Sequence, residues 1–124
     1  MQISVTGRHM DITDAIRDHT HGKIQHALAE FPRVESVHVI LEVEKYRHIA
    51  EIVIQAASHV RVDARAESKD MYASIDDAVE KAAKQLGRVW DRWQDHKSRE
   101  RLAQVELDVQ AAEEGTQGDS KQGS

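Results

Sequence analysis

Hydrophobic residues follow two different periods in the first part of the chain. Residues 1–6 alternate between apolar and polar side chains, which predicts a short first strand that Gly7 ends as a turn residue. From Thr13, a typical N-cap residue, apolar residues recur at helical spacing until Pro32 stops the pattern. The pattern therefore predicts a first helix over residues 14–30.

The middle of the chain returns to a period of two in three successive runs. The apolar positions of these runs are Val37, Val39, Leu41 and Val43; Ala50, Ile52, Ile54 and Ala56; and Val60, Val62, Ala64 and Ala66. Short polar connections at about residues 45–48 and 57–59 join the runs, which predicts an antiparallel meander with one face in contact with water. Ile40 and Val53 break the alternation and are expected on that water-facing side.

A long amphipathic helix is predicted after the last strand, with Ser68 or Asp70 as its cap. Its apolar stripe consists of Met71, Ile75, Val79, Ala82, Leu86, Val89 and Trp93. If the helix ends near Leu102 it is about 50 Å long, whereas a strand of about nine residues spans only ~30 Å. The element order is then β-α-β-β-β-α, an α+β two-layer fold in which two helices cover one face of a four-stranded sheet.

Composition excludes several classes of protein. The chain has 124 residues, of which 40% are hydrophobic and 31% charged, as is typical of a soluble globular protein, and the low aromatic content of 4% predicts an aliphatic core. The absence of cysteine excludes disulfides, thiolate metal sites and cysteine nucleophiles. No apolar run approaches the ~20 residues of a membrane helix and the first residues show no signal peptide, so we expect a cytoplasmic protein without membrane contact.

The net charge of −5 is the sum of segments that differ strongly in charge. Residues 1–103 carry 16 Lys and Arg against 17 Asp and Glu, and their length fits one domain. Residues 104–124 add five acidic residues and one basic residue, and we expect them to form a disordered acidic tail. The segment 81–101 has a local net charge of +4, so the overall charge does not argue against an anionic partner.

A row of basic residues lies beside the apolar stripe of the long helix. At about 100° per residue, four other basic side chains fall within about 60° of Lys81. Together with Lys81 they form the basic stripe, which consists of Lys81, Lys84, Arg88, Arg92 and Arg99. Cations spaced by one helical turn can follow the phosphates of a nucleic acid and release its condensed counterions. The alternative is a solvated helix face with local ion pairs, since surface helices are commonly rich in lysine.

The other polar residues form no recognisable catalytic or metal-binding motif. His19 and His26 share a helix face, but no obvious carboxylate completes a metal site there. No nucleophile-base motif or phosphate loop is present, so we predict neither an enzyme nor a bound metal or cofactor. Tyr72 and Asp76, one turn apart at the start of the long helix, are interpreted as capping and packing residues rather than ligand contacts.

The start of the long helix resembles a known family. The stretch "DMYASIDDAVEKAAKQL" resembles the signature of the short ribosome hibernation promoting factor and ribosome-associated inhibitor family, also called sigma-54 modulation proteins. The opening "ISVTGRHMDITDAIRDH" is similar to the first strand and helix start of that family, and "VEKYRHIAEIVI" to its second hairpin. The resemblance covers about residues 1–100.

This resemblance implies a fold like that of a double-stranded-RNA-binding domain and a function without chemistry. It implies binding to ribosomal RNA in the mRNA and tRNA channel of the small subunit, which silences translation in stationary phase or stress. The matching rRNA-binding residues are Lys81, Lys84, Arg88 and Arg92 on the long helix and, more loosely, Lys23 on the first helix and Lys45 in the hairpin. No small-molecule substrate is implied, and we expect a monomer off the ribosome.

The sequence also departs from the family pattern and leaves alternatives open. Trp90 stands where the family often has lysine, and it either packs beside the apolar stripe or stacks on a base. The hairpin favours the subfamily that promotes pairing of idle ribosomes, whereas the tail "ELDVQAAEEG" favours the one that stabilises single ribosomes. A function of another class is a protein-interaction module that docks a transcription regulator through apolar surface around Trp90 and Trp93.

Overall fold

The secondary-structure elements occur in the predicted order. In the computed structural model, the strands are β1 (Gln2–Arg8), β2 (Val34–Glu44), β3 (Arg47–Ala56) and β4 (Val60–Ser68), and the helices are α1 (Asp14–Ala27) and α2 (Met71–Glu113). The structure describes residues 1–113, and the side chains of residues 1–92, 94 and 95. The chain forms two compact units, one covering Met1–Gly87 and the other beginning at Arg88.

The four strands form one mixed sheet in the order β1-β2-β3-β4. β1 pairs with β2 in parallel, and this pairing requires a crossover connection, which α1 provides. The pairs β2-β3 and β3-β4 are antiparallel, which confirms the predicted meander. The register places Ile40 opposite Glu51 and Val53 opposite His38, so both exceptions to the alternation lie on the open face of the sheet, away from the helices.

The core lies between the other face of the sheet and the two helices. Its buried side chains are aliphatic and include Ile24 and Leu28 of α1, Val39, Leu41, Ile52 and Ile54 of the sheet, and Ile75, Val79 and Leu86 of α2. Because both helices contribute to the cluster that the sheet residues form, the predicted two-layer fold is confirmed.

Both helices end at positions that differ from the prediction. α1 ends at Ala27 because the chain turns over the next residues, where the Phe31 amide donates to the Leu28 carbonyl ahead of Pro32. α2 continues to Glu113 instead of ending near Leu102, since no proline or glycine follows in that stretch to stop it. The predicted tail boundary at residue 104 thus falls inside α2, and residues 114–124 of that prediction lie outside the described part of the chain.

Gly7 lies within β1, so the prediction that it ends the strand as a turn residue was wrong. A Cβ atom at this position would lie 2.6 Å from the carbonyl oxygen of Met10, closer than van der Waals contact allows. Glycine is therefore needed here for the close approach of the loop that follows the strand, in which His9 adopts a φ of 58°.

The start of α2 is fixed to the sheet by side-chain hydrogen bonds. Of the two predicted caps, Asp70 is the N-cap, because its carboxylate accepts from the Ala73 amide at 3.2 Å, and Ser68 supports it by donating to the Asp70 carbonyl at 2.7 Å. The fully buried Ser74 donates to the His48 carbonyl of β3 at 2.6 Å. These contacts set the position of the helix that carries the basic stripe.

We expect Ser74→Ala to lower the free energy of unfolding by about 1–3 kcal/mol, because the part-buried hydrogen bond from Ser74 to the His48 carbonyl is lost. Chemical denaturation measures this change. Ser4→Ala is the matched control, since the Ser4 hydroxyl bonds His38 at an exposed position, and its expected effect is within ~0.5 kcal/mol. Equal losses in the two variants would contradict an anchoring role for Ser74.

Candidate nucleic-acid interface

Lys81 and Lys84 are both exposed on α2 in the unit Met1–Gly87. The Lys81 ammonium donates to the backbone carbonyl of Arg65 at 3.4 Å. Because β4 is an edge strand, this contact places Lys81 on the flank of α2 that lies over the free edge of the sheet. An anion that approaches this edge meets Lys81 without displacing any core residue.

Lys23 of α1 lies close to the same helix. Its ammonium is 3.5 Å from the carboxylate of Glu80, and 29% of its side chain is exposed. Since Glu80 precedes Lys81 in the chain, the structure brings the predicted α1 residue next to α2, which the sequence alone did not establish. The ion pair with Glu80 also means that a phosphate has to compete with a carboxylate for Lys23.

The next residues of the basic stripe belong to the second unit. Arg88 and Arg92 have exposed side chains, whereas the side chain of Arg99 lies outside the described residues. Trp90 is partly buried, so the choice between packing and base stacking for this residue stays a hypothesis. Their common alignment with Lys81 and Lys84 rests on the helical spacing of the sequence.

Lys45 lies at the end of the β2–β3 hairpin. Lys45 and Tyr46 form the whole connection between the two strands, and Lys45 is exposed with a φ of 58°. Tyr46, which the sequence analysis did not select, is the most exposed large hydrophobic side chain among the described residues, at 71%. Its position between two basic residues, Lys45 and Arg47, was the signal in the sequence.

Tyr72 and Asp76 join the two helices. The Asp76 carboxylate lies 2.7 Å from Nε2 of His19 in α1, and the His19 ring meets Tyr72 edge to face with centroids 4.9 Å apart. These contacts support the packing interpretation of Tyr72 and Asp76. They also give His19 a structural partner, and among the described residues no group of three or more His, Asp or Glu side chains is arranged to hold a metal ion.

The open face of the sheet has mixed charge. Glu51 and Asp63 are diagonal neighbours on β3 and β4. The pKa of Glu51 is raised by its hydrogen bond with Asp63, by partial burial and by the charge of Asp63, whereas Arg65 and Arg8 lower it. Carboxyl groups at this position do not favour binding of a phosphate. The helical side of the domain therefore suits an anionic partner better than the open face does.

We expect Glu51→Gln to stabilise the protein at neutral pH. Because the folded state holds the Glu51 proton to a higher pH than the unfolded chain does, wild-type stability falls as pH rises above the ordinary glutamate pKa of 4.5. The uncharged amide of the variant removes this loss of stability. The Tm of Glu51→Gln should therefore be a few degrees above that of wild type at pH 7, and should change less than the wild-type Tm between pH 5 and about 7. Glu35→Gln, at an exposed position of β2, is the control, and a Tm decrease in Glu51→Gln would contradict the raised pKa of Glu51.

The fold defines a small α+β domain in which two helices cover one face of a four-stranded sheet in β-α-β-β-β-α order. A sequence profile of the family described as Sigma 54 modulation protein / S30EA ribosomal protein matches residues 3–94. The chain belongs to this family, which confirms the resemblance seen in the sequence. Among the described residues, no helix is long and apolar enough to cross a membrane.

Several relatives match over most of their length. The ribosome hibernation promoting factor of Salmonella typhimurium is 38% identical over 99 residues, which cover 77% of this chain and all of the relative. The factor of the same name from Azotobacter vinelandii is 41% identical over 86 residues, covering 69% of this chain and 79% of the relative. Both relatives are named for ribosome hibernation, so they give no support to the alternative of a protein-interaction module that docks a transcription regulator.

Solved structures share the fold. A ribosomal subunit interface protein from Coxiella burnetii superimposes with a TM-score of 0.69 at 27% identity, covering 73% of this chain and 99% of that protein. The N-terminal domain of Protein Y from Thermus thermophilus gives a TM-score of 0.65 at 32% identity, covering 72% of this chain and 99% of that domain. The two-layer architecture is therefore shared with a protein named for the ribosomal subunit interface.

Proposed function

We propose that this protein is a ribosome hibernation factor that binds the small ribosomal subunit in the channel for mRNA and tRNA. The observation that carries the proposal is the match to ribosome hibernation promoting factors over their whole length. The exposed Lys81 and Lys84 on α2 support it, because they offer phosphates a cationic surface, whereas the open face of the sheet has mixed charge. The protein would act in the cytoplasm, where ribosomes are.

The mechanism we propose is steric and electrostatic. The basic stripe, assisted by Lys23 and Lys45, binds phosphates of ribosomal RNA and gains free energy from counterion release. The bound domain occupies the space that mRNA and tRNA need, so translation stops in stationary phase or stress without a chemical step. The protein off the ribosome is a monomer in this proposal.

Sedimentation of extracts from stationary-phase cells tests this function. The protein should move with small subunits or whole ribosomes in a sucrose gradient, and should leave them as the salt concentration rises. Comparison of cells with and without the gene shows in the same gradient whether the protein promotes paired ribosomes or stabilises single ones. A protein that remains at the top of the gradient at low salt would contradict ribosome binding.

A further inference from the structure

The β2–β3 hairpin ends in an aromatic side chain, Tyr46, that lies outside the core. Tyr46 leaves 71% of its surface in water, although burial of its ring would stabilise the protein. Single exposed aromatic residues are common on protein surfaces. Three further observations distinguish this one: the backbone strain of its neighbour, the ion pairs that fix the hairpin, and the position of the hairpin end beside β4.

Lys45 adopts a backbone conformation that favours glycine. Its φ of 58° lies in the left-handed region, and two-residue hairpin connections usually place glycine or asparagine at such positions. A lysine there destabilises the turn, and strained positions of this kind tend to occur at functional sites. The strained residue is cationic and directly precedes the exposed ring.

Ion pairs from Arg47 fix the end of the hairpin to its neighbours. Nε of Arg47 lies 2.6 Å from the Glu67 carboxylate of β4, and Nη1 lies 3.6 Å from Glu44. The hydrogen bond with Arg47 lowers the pKa of Glu67, so the pair stays ionised at neutral pH. The ring of Tyr46 is thus presented from a fixed hairpin, which reduces the entropy that a ligand contact has to overcome.

The hairpin end and Lys81 both contact the neighbourhood of the edge strand β4. Glu67, which binds Arg47, is two residues from Arg65, whose carbonyl accepts from Lys81. Two residues of a strand span ~7 Å. The hairpin end and Lys81 therefore both adjoin β4, within the single unit Met1–Gly87.

We infer that Tyr46 stacks on an unpaired base of an RNA strand while Lys45 contacts the phosphates of that strand. The inference rests on the proposed function and adds that the RNA at this end of the interface is single-stranded. A duplex keeps its bases stacked inside, whereas an unpaired base offers a face to an aromatic ring regardless of its identity.

Titration of purified small subunits with Tyr46 variants tests the inference. Tyr46→Ala should weaken binding by about 10-fold, as expected for the loss of one base–aromatic stack, and Tyr46→Phe should stay within about 2-fold of wild type. The dependence of affinity on salt should be the same in both, because no phosphate contact changes. Equal affinities of Tyr46→Ala and wild type would overturn the inference and leave the proposed function intact, whereas a wild type that does not bind would overturn both.

Lys45→Gly separates the phosphate contact from the fold. The variant should unfold at the same or a higher temperature than wild type, because glycine accepts the left-handed conformation. Its affinity should fall, and the slope of log affinity against log salt concentration should decrease in magnitude by the amount expected for about one phosphate contact. A lower affinity with an unchanged salt dependence would overturn the phosphate contact of Lys45.

Photocrosslinking identifies the partner of Tyr46. A benzophenone amino acid at position 46, irradiated in the complex with small subunits, should yield a crosslinked species of higher mass, and ribonuclease should remove most of the added mass. A crosslinked species whose mass ribonuclease leaves unchanged would place a ribosomal protein at this position, and would overturn the inference.

Discussion

Replacement of Lys81 and Lys84 together by glutamate should lower the affinity for small ribosomal subunits by about 100-fold or more. Each charge-assisted hydrogen bond that the variant removes contributes about 1.5–3 kcal/mol, and the new carboxylates add repulsion. Both side chains are exposed, so the core is expected to remain folded. Titrations at several salt concentrations should also show a shallower slope of log affinity against log salt concentration. The slope should decrease in magnitude by about 0.7–0.9 for each phosphate that the variant no longer binds.

The matched control is the double variant Arg8→Glu with Arg61→Glu. Both arginines are exposed, the register places them on the open face of the sheet, and the change in net charge is the same. Binding should stay within a few-fold of wild type, because the proposed interface does not include this face. An equal loss of affinity in the control would show that net charge alone governs binding, which would contradict a defined interface.

A second pair tests how far along α2 the interface extends. Arg88→Glu with Arg92→Glu should repeat the loss of affinity if the basic stripe binds RNA throughout its length. Both positions are exposed in the second unit. Retention of binding by this variant would limit the interface to the unit Met1–Gly87.

Ile75→Ala should lower the free energy of unfolding by about 2–5 kcal/mol. Ile75 is 0% exposed and lies in the cluster formed by the sheet and both helices. Its truncation removes apolar packing and leaves a cavity that the neighbouring side chains fill only partly. Chemical denaturation measures the change, and binding to small subunits should decrease only in proportion to the unfolded fraction.

Val53→Ala is the control for the position of the core. Val53 is partly exposed on the open face of the sheet, so its truncation should cost about 1 kcal/mol. If the two variants were destabilised equally, the assignment of the core to the helical face would be contradicted.

The fold was predictable because its signals are local. The alternation in β2, β3 and β4 identifies their buried faces, since every second side chain enters the core. Gly7 was assigned wrongly because its requirement comes from Met10 across a loop, which no periodicity reveals. The end of α2 at Glu113 was missed because the tail composition outweighed the absence of a helix-stopping residue.

The candidate site was predictable only in part. Helical spacing selected the basic stripe, but the ion pair of Lys23 with Glu80 joins segments that are remote in sequence. The hydrogen bond of Lys81 to the Arg65 carbonyl likewise depends on how α2 lies over β4. Tyr46 was missed because its exposure follows from the turn geometry of the hairpin, and the flanking basic residues Lys45 and Arg47 were too weak a signal to select it.

Competition with mRNA and tRNA tests the central proposal most directly. Small subunits are saturated with an mRNA and its cognate tRNA and are then mixed with labelled protein, and binding is compared with that to empty subunits at the same salt concentration. If the protein occupies the channel, it should bind empty subunits and be excluded from filled ones, and excess protein should block tRNA binding to empty subunits. Equal binding to filled and empty subunits would contradict occupation of the mRNA and tRNA channel.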